Sequence, residues 1–200
     1  MNITHQTWHG SDIAQYLEPI AKLRIEVFRE YPYLYDGSFA YEKSYLQTYI
    51  KSEKSIAILL FNESQQLVGV STGVPLQDES KEFKQPFVKS DIDISTIFYC
   101  GESIIRKEYR GNGYYPTFFE KREKHAAQLP GIQTVCFCAV QRPQNHPLKP
   151  DDYRPLDPIW EKTGYQKHPE LKTTYRWKDI NEEDDSDKEM VYWLKSLKNG

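Results

Sequence analysis

The sequence predicts a single α/β domain with a mixed, largely antiparallel, twisted sheet of six to seven strands flanked by helices. Two apolar, β-rich runs at residues 55–61 and 67–74 are separated by five polar residues, which is typical of an antiparallel hairpin. A third such run, residues 97–105, is followed by a glycine-containing turn and an amphipathic helical pattern over residues 115–129. The length of 200 residues suits one domain with one sizeable core.

The first 51 residues predict a strand and two helices. Residues 3–8 form a short opening strand, and Ser11 is the expected N-cap of a helix that runs to about residue 30. Because Pro19 interrupts this pattern, the first turns of the helix are expected to be kinked or separate. A second helix is expected at residues 39–51.

The remaining connections are longer and richer in proline. Residues 80–89 are expected to contain a helical turn, and residues 134–140 form another strand. Five prolines between residues 143 and 158 predict an extended loop. Asp157 is expected to cap a short helix at residues 158–163.

Two strands, residues 173–177 and 190–194, end the predicted fold and are joined by an acidic turn. If the second of them lies at the edge of the sheet, Tyr192 and Trp193 are exposed and could pair two copies of the chain. A homodimer is therefore considered.

Composition and charge exclude several classes of function. The formal net charge is -3 and basic residues do not cluster, so nucleic acid is not expected as a partner. No apolar run reaches about 18 residues, and the first 15 residues lack the features of a signal peptide, so we expect a cytoplasmic protein without a membrane partner. Cys100, Cys136 and Cys138 are expected to be buried, reduced thiols; no metal site is predicted.

The turn after the third β-rich run has the composition of an anion-binding loop. It reads Tyr109-Arg110-Gly111-Asn112-Gly113-Tyr114 and lies between a predicted strand and a predicted helix. Glycines allow the backbone to approach a ligand closely, and the N-terminus of a helix favours negative charge. Two glycines in a turn are more often only a turn, and the flanking strand and helix strengthen the binding interpretation.

The stretch from Glu102 to Tyr115 resembles the acyl-CoA loop of the GCN5-related N-acetyltransferase (GNAT) family, whose pattern is Q/R-x-x-G-x-G/A. Arg110 and Gly113 match that pattern. The resemblance implies a GNAT-like fold and acetyl-CoA as co-substrate. It also implies that the loop residues hold the pyrophosphate of coenzyme A and that Ile105 pairs with the pantetheine arm. The implied cofactor-binding residues are Ile105, Arg110, Gly111, Asn112, Gly113, Tyr114 and Tyr115.

Two positions depart from the family pattern. Tyr115 stands where Gly or Ala is usual, so its side chain must point away from the phosphates or obstruct them. Trp160 stands where the family commonly has a tyrosine as general acid, and an indole cannot protonate a thiolate. Tyr153 or a water molecule is the expected substitute.

The resemblance also implies where an amine would react. Glu102 is the candidate catalytic base, because the family often has a carboxylate at this place near the thioester; a carboxylate satisfied within the sheet is the alternative. Tyr33, Tyr35 and Asp36 lie in the loop between the first two helices, which overhangs the acceptor site in the family. Their rings and charge could bind a cationic amine, or the rings could simply close the edge of the core.

The leading functional hypothesis is an acetyl-CoA-dependent N-acetyltransferase that acts by direct attack of a primary amine, either of a small molecule or of a peptide. One alternative is an acyl-CoA-binding regulatory module without catalysis. Another is a peptide-interaction module that uses the tyrosine-rich loop as an aromatic anchor.

Overall fold

A computed structural model describes residues 2–197 as a seven-stranded sheet with helices on both faces. The strands are β1 (Thr4–Trp8), β2 (Ile56–Phe61), β3 (Leu67–Pro75), β4 (Ile97–Ile105), β5 (Thr134–Val140), β6 (Gln166–Trp177) and β7 (Ser186–Ser196). The helices are α1 (Leu17–Phe28), α2 (Phe39–Lys51), α3 (Lys81–Lys84), α4 (Tyr114–Gln128) and α5 (Asp157–Lys162). The predicted fold class and number of strands are confirmed.

The sheet has the order β1-β2-β3-β4-β5-β7-β6, and every neighbouring pair is antiparallel except β4 and β5. Successive side chains of a strand point to opposite faces. In β2, Ile58 therefore packs with Phe118 of α4, whereas Leu59 packs with Leu46 of α2. The sheet thus separates a core beneath α4 from a core beneath α1 and α2.

The helix starts depend on local capping. α2 has the predicted bounds, and the Ser38 hydroxyl accepts a hydrogen bond from the Tyr41 N–H at 3.2 Å. Ser11 does not cap a helix, because it lies inside a separate 3₁₀-helix, Gly10–Tyr16, that precedes α1. Pro19 occupies the first turn of α1, where its missing N–H is not needed.

Asp157 is likewise not the cap that the sequence predicted. It is the first residue of α5, and its carboxylate forms an ion pair with Lys167 at 3.1 Å. The ion pair takes the carboxylate away from the N–H groups of the helix.

The predicted edge position of the C-terminal strand is wrong. β7 lies between β5 and β6, and Tyr192 and Trp193 are fully buried. The reason is that β6 begins at Gln166, earlier than predicted, and pairs with β7 along most of its length. Contact between two copies through these rings is therefore excluded.

The three cysteines are buried and unpaired, as predicted. None of the helices described between residues 2 and 197 is long and apolar enough to cross a lipid bilayer.

Replacing Trp193 by Ala is expected to destabilise the protein by about 3–5 kcal/mol, because it removes a large ring from the interior of the sheet. Urea unfolding followed by circular dichroism measures this loss. The control is Val88→Ala at a residue that is 68% exposed, and its effect should stay within about 0.5 kcal/mol. Equal effects of the two substitutions would contradict the interior position of β7.

Candidate active site

The two parallel strands of the sheet separate after a short paired stretch. Only Ile97, Phe98 and Tyr99 of β4 are paired with β5, opposite residues 134–136. Beyond this point β4 continues along β3, while β5 continues along β7. The two strands therefore leave a gap, which we call the β4–β5 opening, and the glycine turn lies at the end of β4 that borders it.

A β-bulge coincides with the start of the β4–β5 opening. Gly101 and Glu102 of β4 lie opposite the single residue Thr72 of β3. The Glu102 carbonyl accepts hydrogen bonds from the Ser71 hydroxyl at 2.8 Å and from Nη1 of the buried Arg122 at 3.0 Å. These two donors satisfy a carbonyl that the bulge withdraws from the sheet ladder.

The glycine turn is open on its outer side. Gly111 and Gly113 have φ values of +77° and +79°, and a Cβ atom on either would meet no other atom within 4 Å. The Asn112 side chain folds back and donates to the Arg110 carbonyl at 3.0 Å. Within residues 2–197 the N–H groups of residues 111–113 donate no hydrogen bond. The turn therefore offers free donors at the N-terminus of α4.

Arg110 holds this turn against the end of α1. Its guanidinium binds both carboxylate oxygens of Glu30, at 2.7 and 3.1 Å, and its Nε donates to the Ile105 carbonyl at 2.7 Å. The Arg106 N–H donates to Val68 of β3, so the backbone groups of Ile105 point to the opposite side, toward the β4–β5 opening. Ile105 thus has the orientation that pairing with a ligand requires.

Tyr114 and Tyr115 begin α4 and pack onto neighbouring elements. The Tyr114 ring lies edge-on to His5 at 6.2 Å. The Tyr115 hydroxyl accepts a hydrogen bond from Trp160 Nε1 at 3.2 Å, and its ring packs on Phe119. Burial raises the pKa of the Tyr115 hydroxyl. Because this side chain points into the α4–α5 contact, it does not fill the outer side of the glycine turn.

Glu102, the predicted base, belongs to a buried ion cluster. Arg24 of α1 binds Glu102 with Nη1 and Glu42 of α2 with Nε, the latter at 2.5 Å. The Arg24 guanidinium also lies 4.2 Å from the centre of the Tyr45 ring. Burial raises the pKa of Glu102, and the charge of Arg24 opposes this rise. The structure therefore places Glu102 on the face of the sheet that α1 and α2 cover, with its carboxylate already paired.

A second buried carboxylate on the same face, Glu79, was not predicted. It follows β3 after one 3₁₀ turn and is 3% exposed. One of its oxygens accepts from the Tyr49 hydroxyl and the other from the Ser80 N–H, both at 3.0 Å. Burial raises the pKa of Glu79 from its ordinary value near 4.5 to about 7. The sequence signal was weak, since Glu79 stands among polar residues in a connection.

The tyrosine-rich loop packs its rings inward. Tyr33 stacks on Trp177 of β6 with 6.0 Å between ring centres, and the Tyr35 ring lies edge-on to Tyr41. Asp36 binds Lys178 at 2.7 Å and Arg29 at 3.0 Å, and hydrogen bonds from both cations lower the pKa of its carboxyl. The charge of Asp36 is thus balanced within the protein.

This loop is joined to the turn between β6 and β7. Tyr35 forms a backbone bridge with Asp179, and the Ile180 N–H donates to the Leu34 carbonyl at 2.7 Å. Arg142 binds the Asp179 carboxylate at 2.6 and 2.9 Å and the Tyr33 carbonyl at 2.7 Å. Tyr33 and Tyr35 also pack against the core cluster that contains Tyr99 of β4 and Cys138 of β5, so the loop lies near the β4–β5 opening.

The residues considered for the general acid lie in different surroundings. Trp160 packs on Phe137 and Trp193 and donates to Tyr115. Tyr153 lies edge-on to Tyr31, with 4.6 Å between ring centres, in the proline-rich segment. Burial raises the pKa of Tyr153, so its hydroxyl stays protonated at neutral pH.

Comparison of the sequence with family profiles gives no match, and comparison with curated proteins gives none either. Solved structures do match. NAA60 from Arabidopsis thaliana in complex with acetyl-CoA has a TM-score of 0.62 at 12% identity, with 100% of each chain covered. The loading GNATL domain of CurA from Lyngbya majuscula has a TM-score of 0.62 at 12% identity, covering 98% of this chain and 100% of that one.

A third similar structure is the GNAT-family acetyltransferase from Streptococcus pneumoniae, with a TM-score of 0.58 at 13% identity, covering 98% of this chain and 99% of that one. At such identities the similarity establishes the fold. The chain therefore has the GNAT fold that the sequence resemblance predicted.

The Arg24→Met variant is expected to lose about 3–5 kcal/mol of stability, because Glu42 and Glu102 would stay buried without their cation. Chemical denaturation at pH 7 measures the loss. Arg29→Met is the matched control: its ion pair with Asp36 is exposed, so the cost should not exceed about 1 kcal/mol. A small effect of Arg24→Met would show that the cluster is not buried as described.

Glu79 should make the protein less stable as pH rises. The pKa of Glu79 is higher in the folded state, so the folded protein binds more protons than the unfolded one between about pH 4.5 and 7. The protonated Glu79 carboxyl contributes about 3 kcal/mol to the free energy of unfolding below pH 4.5. This contribution is lost as the pH rises through 7. Unfolding curves from pH 4.5 to 8 should show this slope in the wild type and a flatter one in Glu79→Gln. Parallel curves would contradict the raised pKa.

Proposed function

We propose that this protein is an acetyl-CoA-dependent N-acetyltransferase that moves an acetyl group to a primary amine by direct attack. The observation that carries the proposal is the β4–β5 opening together with the free N–H groups of the glycine turn at its border. An extended thioester can pair with an exposed strand, and a pyrophosphate can bind backbone donors at a helix N-terminus. The similar NAA60 structure is a complex with acetyl-CoA, which supports the same ligand here.

The residues present fit such a co-substrate. In the proposal, Ile105 pairs with the pantetheine arm, and the backbone of Gly111, Asn112 and Gly113 binds the pyrophosphate together with the start of α4 at Tyr114. Arg110 keeps the turn in position through Glu30, and Tyr115 supports α4 from the inside. Acetyl-CoA would supply an activated acetyl group as a thioester.

For the acceptor we propose a small primary amine that binds on the α1–α2 side of the opening. Tyr33 and Tyr35 line this side, and Asp36 helps to hold their loop through Lys178. Because this loop is hydrogen-bonded to the β6–β7 turn, a compact amine suits the site better than an extended peptide.

The three unpaired cysteines support the proposed cytoplasmic location.

The ammonium form of such an amine must lose a proton before it can attack. The role of Glu102 as the proton acceptor stays a prediction. Its bond to Arg24 favours the ionised form, and an assay of Glu102→Gln tests whether the reaction depends on it.

A specific observation favours one alternative, a module that binds acyl-CoA without catalysis. Trp160 stands at the usual position of the general acid, and its N–H is already bonded to Tyr115. This alternative predicts tight binding of acetyl-CoA with no transfer to any amine.

Gly113→Glu should weaken acetyl-CoA binding at least about tenfold, because it adds charge and bulk beside the pyrophosphate donors. Isothermal titration with acetyl-CoA measures the dissociation constant. Gly131→Glu is the matched control: Gly131 also has a positive φ, +83°, with no atom near its Cβ position. It follows the opposite end of α4, about 22 Å away by helix length, so this variant should bind like the wild type.

An amine screen then measures release of the coenzyme A thiol. The three cysteines of the protein are buried and should add little to the thiol signal. Absence of acetyl-CoA binding to folded wild type would overturn the proposed function. Binding without transfer to any amine would favour the non-catalytic alternative.

A further inference from the structure

The carboxyl of Glu79, which the predicted site does not include, lies among buried titratable groups. Six elements contribute titratable groups around it. They are Arg24 from α1; Tyr41, Tyr45 and Tyr49 from α2; Glu102 from β4; Cys136 and Cys138 from β5; Tyr175 from β6; and Tyr192 from β7. The neighbouring Ser80 N–H donates a hydrogen bond to the carboxyl.

Two tyrosine hydroxyls form a chain that ends at Glu79. The Tyr49 hydroxyl donates to Glu79 Oε1 at 3.0 Å, and the Tyr45 and Tyr49 hydroxyls are 2.8 Å apart. Since the Tyr49 proton is committed to Glu79, Tyr45 is the donor to Tyr49. A proton that enters this chain can be passed to the carboxylate by successive exchange along the hydrogen bonds.

The chain touches β4 where the β4–β5 opening begins. A Cβ atom on Gly101 would lie 2.1 Å from the Tyr49 hydroxyl and 2.6 Å from the Thr72 hydroxyl. Glycine is thus required at this position of the bulge so that the Tyr49 hydroxyl can reach the backbone of β4. An amine that attacks a thioester beside this segment would be close to that hydroxyl.

Glu79 and Glu102 differ in their cations. Arg24 is bonded directly to Glu102, whereas no Lys or Arg between residues 2 and 197 hydrogen-bonds to Glu79. The negative charge of Glu102 adds to the effect of burial on Glu79. Burial raises the pKa of both carboxyls, and at Glu102 the charge of Arg24 is the main influence that opposes this rise. Of the two, Glu79 is the group matched to proton uptake near neutral pH.

We propose that Glu79 is the proton acceptor of the acetyl transfer and that Tyr49 links it to the attacking amine, an inference that rests on the proposed function. Glu79 takes one proton of the ammonium group through Tyr49 and later releases it to solvent. The new C–N bond forms as the C–S bond breaks, and a second nitrogen proton leaves with the thiol of coenzyme A. Glu102 is bonded to Arg24 and acts as a positioning residue.

The test compares benzylamine with aniline as acceptors, using acetyl-CoA and thiol release. Benzylamine is an ammonium ion at pH 7, whereas aniline is already uncharged and needs no base. Glu79→Gln should lower kcat/KM for benzylamine at least about 100-fold at pH 7, and the deficit should shrink as pH rises and benzylamine loses its own proton. Transfer to aniline should change only a few-fold. Isothermal titration should show unchanged acetyl-CoA binding.

Tyr49→Phe provides an independent variant that keeps the ring. The Tyr49 hydroxyl hydrogen-bonds to Glu79 and lowers the pKa of its carboxyl. Its removal should therefore move the rise of kcat/KM, expected near pH 7 in the wild type, to higher pH. A purely structural role of Tyr49 would lower the rate without moving this pH profile.

The possible results distinguish the role of Glu79 from the proposed function. If the wild type transfers acetyl to benzylamine and the pH profile is unchanged in Glu79→Gln and Tyr49→Phe, the role of Glu79 is overturned. The proposed function then remains intact. In another possible result, Glu102→Gln lowers kcat/KM for benzylamine at pH 7 but not at high pH, and Glu79→Gln does not lower it. This result also overturns the role of Glu79 and identifies Glu102 as the base. Wild type that transfers nothing to either amine or to any amine of the screen overturns the proposed function together with this role.

Discussion

The arrangement of the candidate site depends on one backbone constraint, the bulge at Gly101 and Glu102 in β4. Buried backbone groups must be hydrogen-bonded, and the bulge removes the Glu102 carbonyl from the sheet ladder. The Arg122 guanidinium satisfies it from α4, and the Ser71 hydroxyl satisfies it from β3. With these bonds in place, β4 can follow β3 while leaving β5, and the β4–β5 opening is a stable feature of the fold.

The charges around the bulge show why this face is suited to proton transfer. The Arg24 guanidinium is bonded to both Glu42 and Glu102, and desolvation makes each unpaired buried charge costly. Among residues 2–197, no Lys or Arg hydrogen-bonds to Glu79, and burial raises the pKa of its carboxyl to about 7. A carboxyl that changes charge near pH 7 therefore arises from burial without a directly bonded cation.

The sequence predicted those elements whose pattern is set locally. The bounds of β4, β5 and α2 were predicted correctly, because β-branched runs and the apolar spacing of a helix are local signals. The position of β7 was not predicted correctly. Residues 166–172, which form the first part of β6, are mostly polar and gave no strand pattern. β6 is nevertheless a strand there because pairing with β7 outweighs the weak local preference of an edge strand.

The candidate site was likewise predictable only where its residues carry a local sequence signal. The glycine turn carries its own signature, because φ values near +80° strongly favour glycine. Glu79 carries none, since its environment is assembled from helices and strands that are distant in sequence.

The departure at Tyr115 illustrates how the fold can absorb an unusual residue. A tyrosine at the start of α4 would obstruct the glycine turn if its side chain pointed outward. Trp160 offers an N–H partner beneath the helix, and the hydrogen bond draws the Tyr115 hydroxyl inward, where burial also raises its pKa. The same bond occupies the indole N–H of Trp160, which stands at the position of the general acid in the family pattern. One hydrogen bond thus joins the two positions at which the sequence departs from the family pattern.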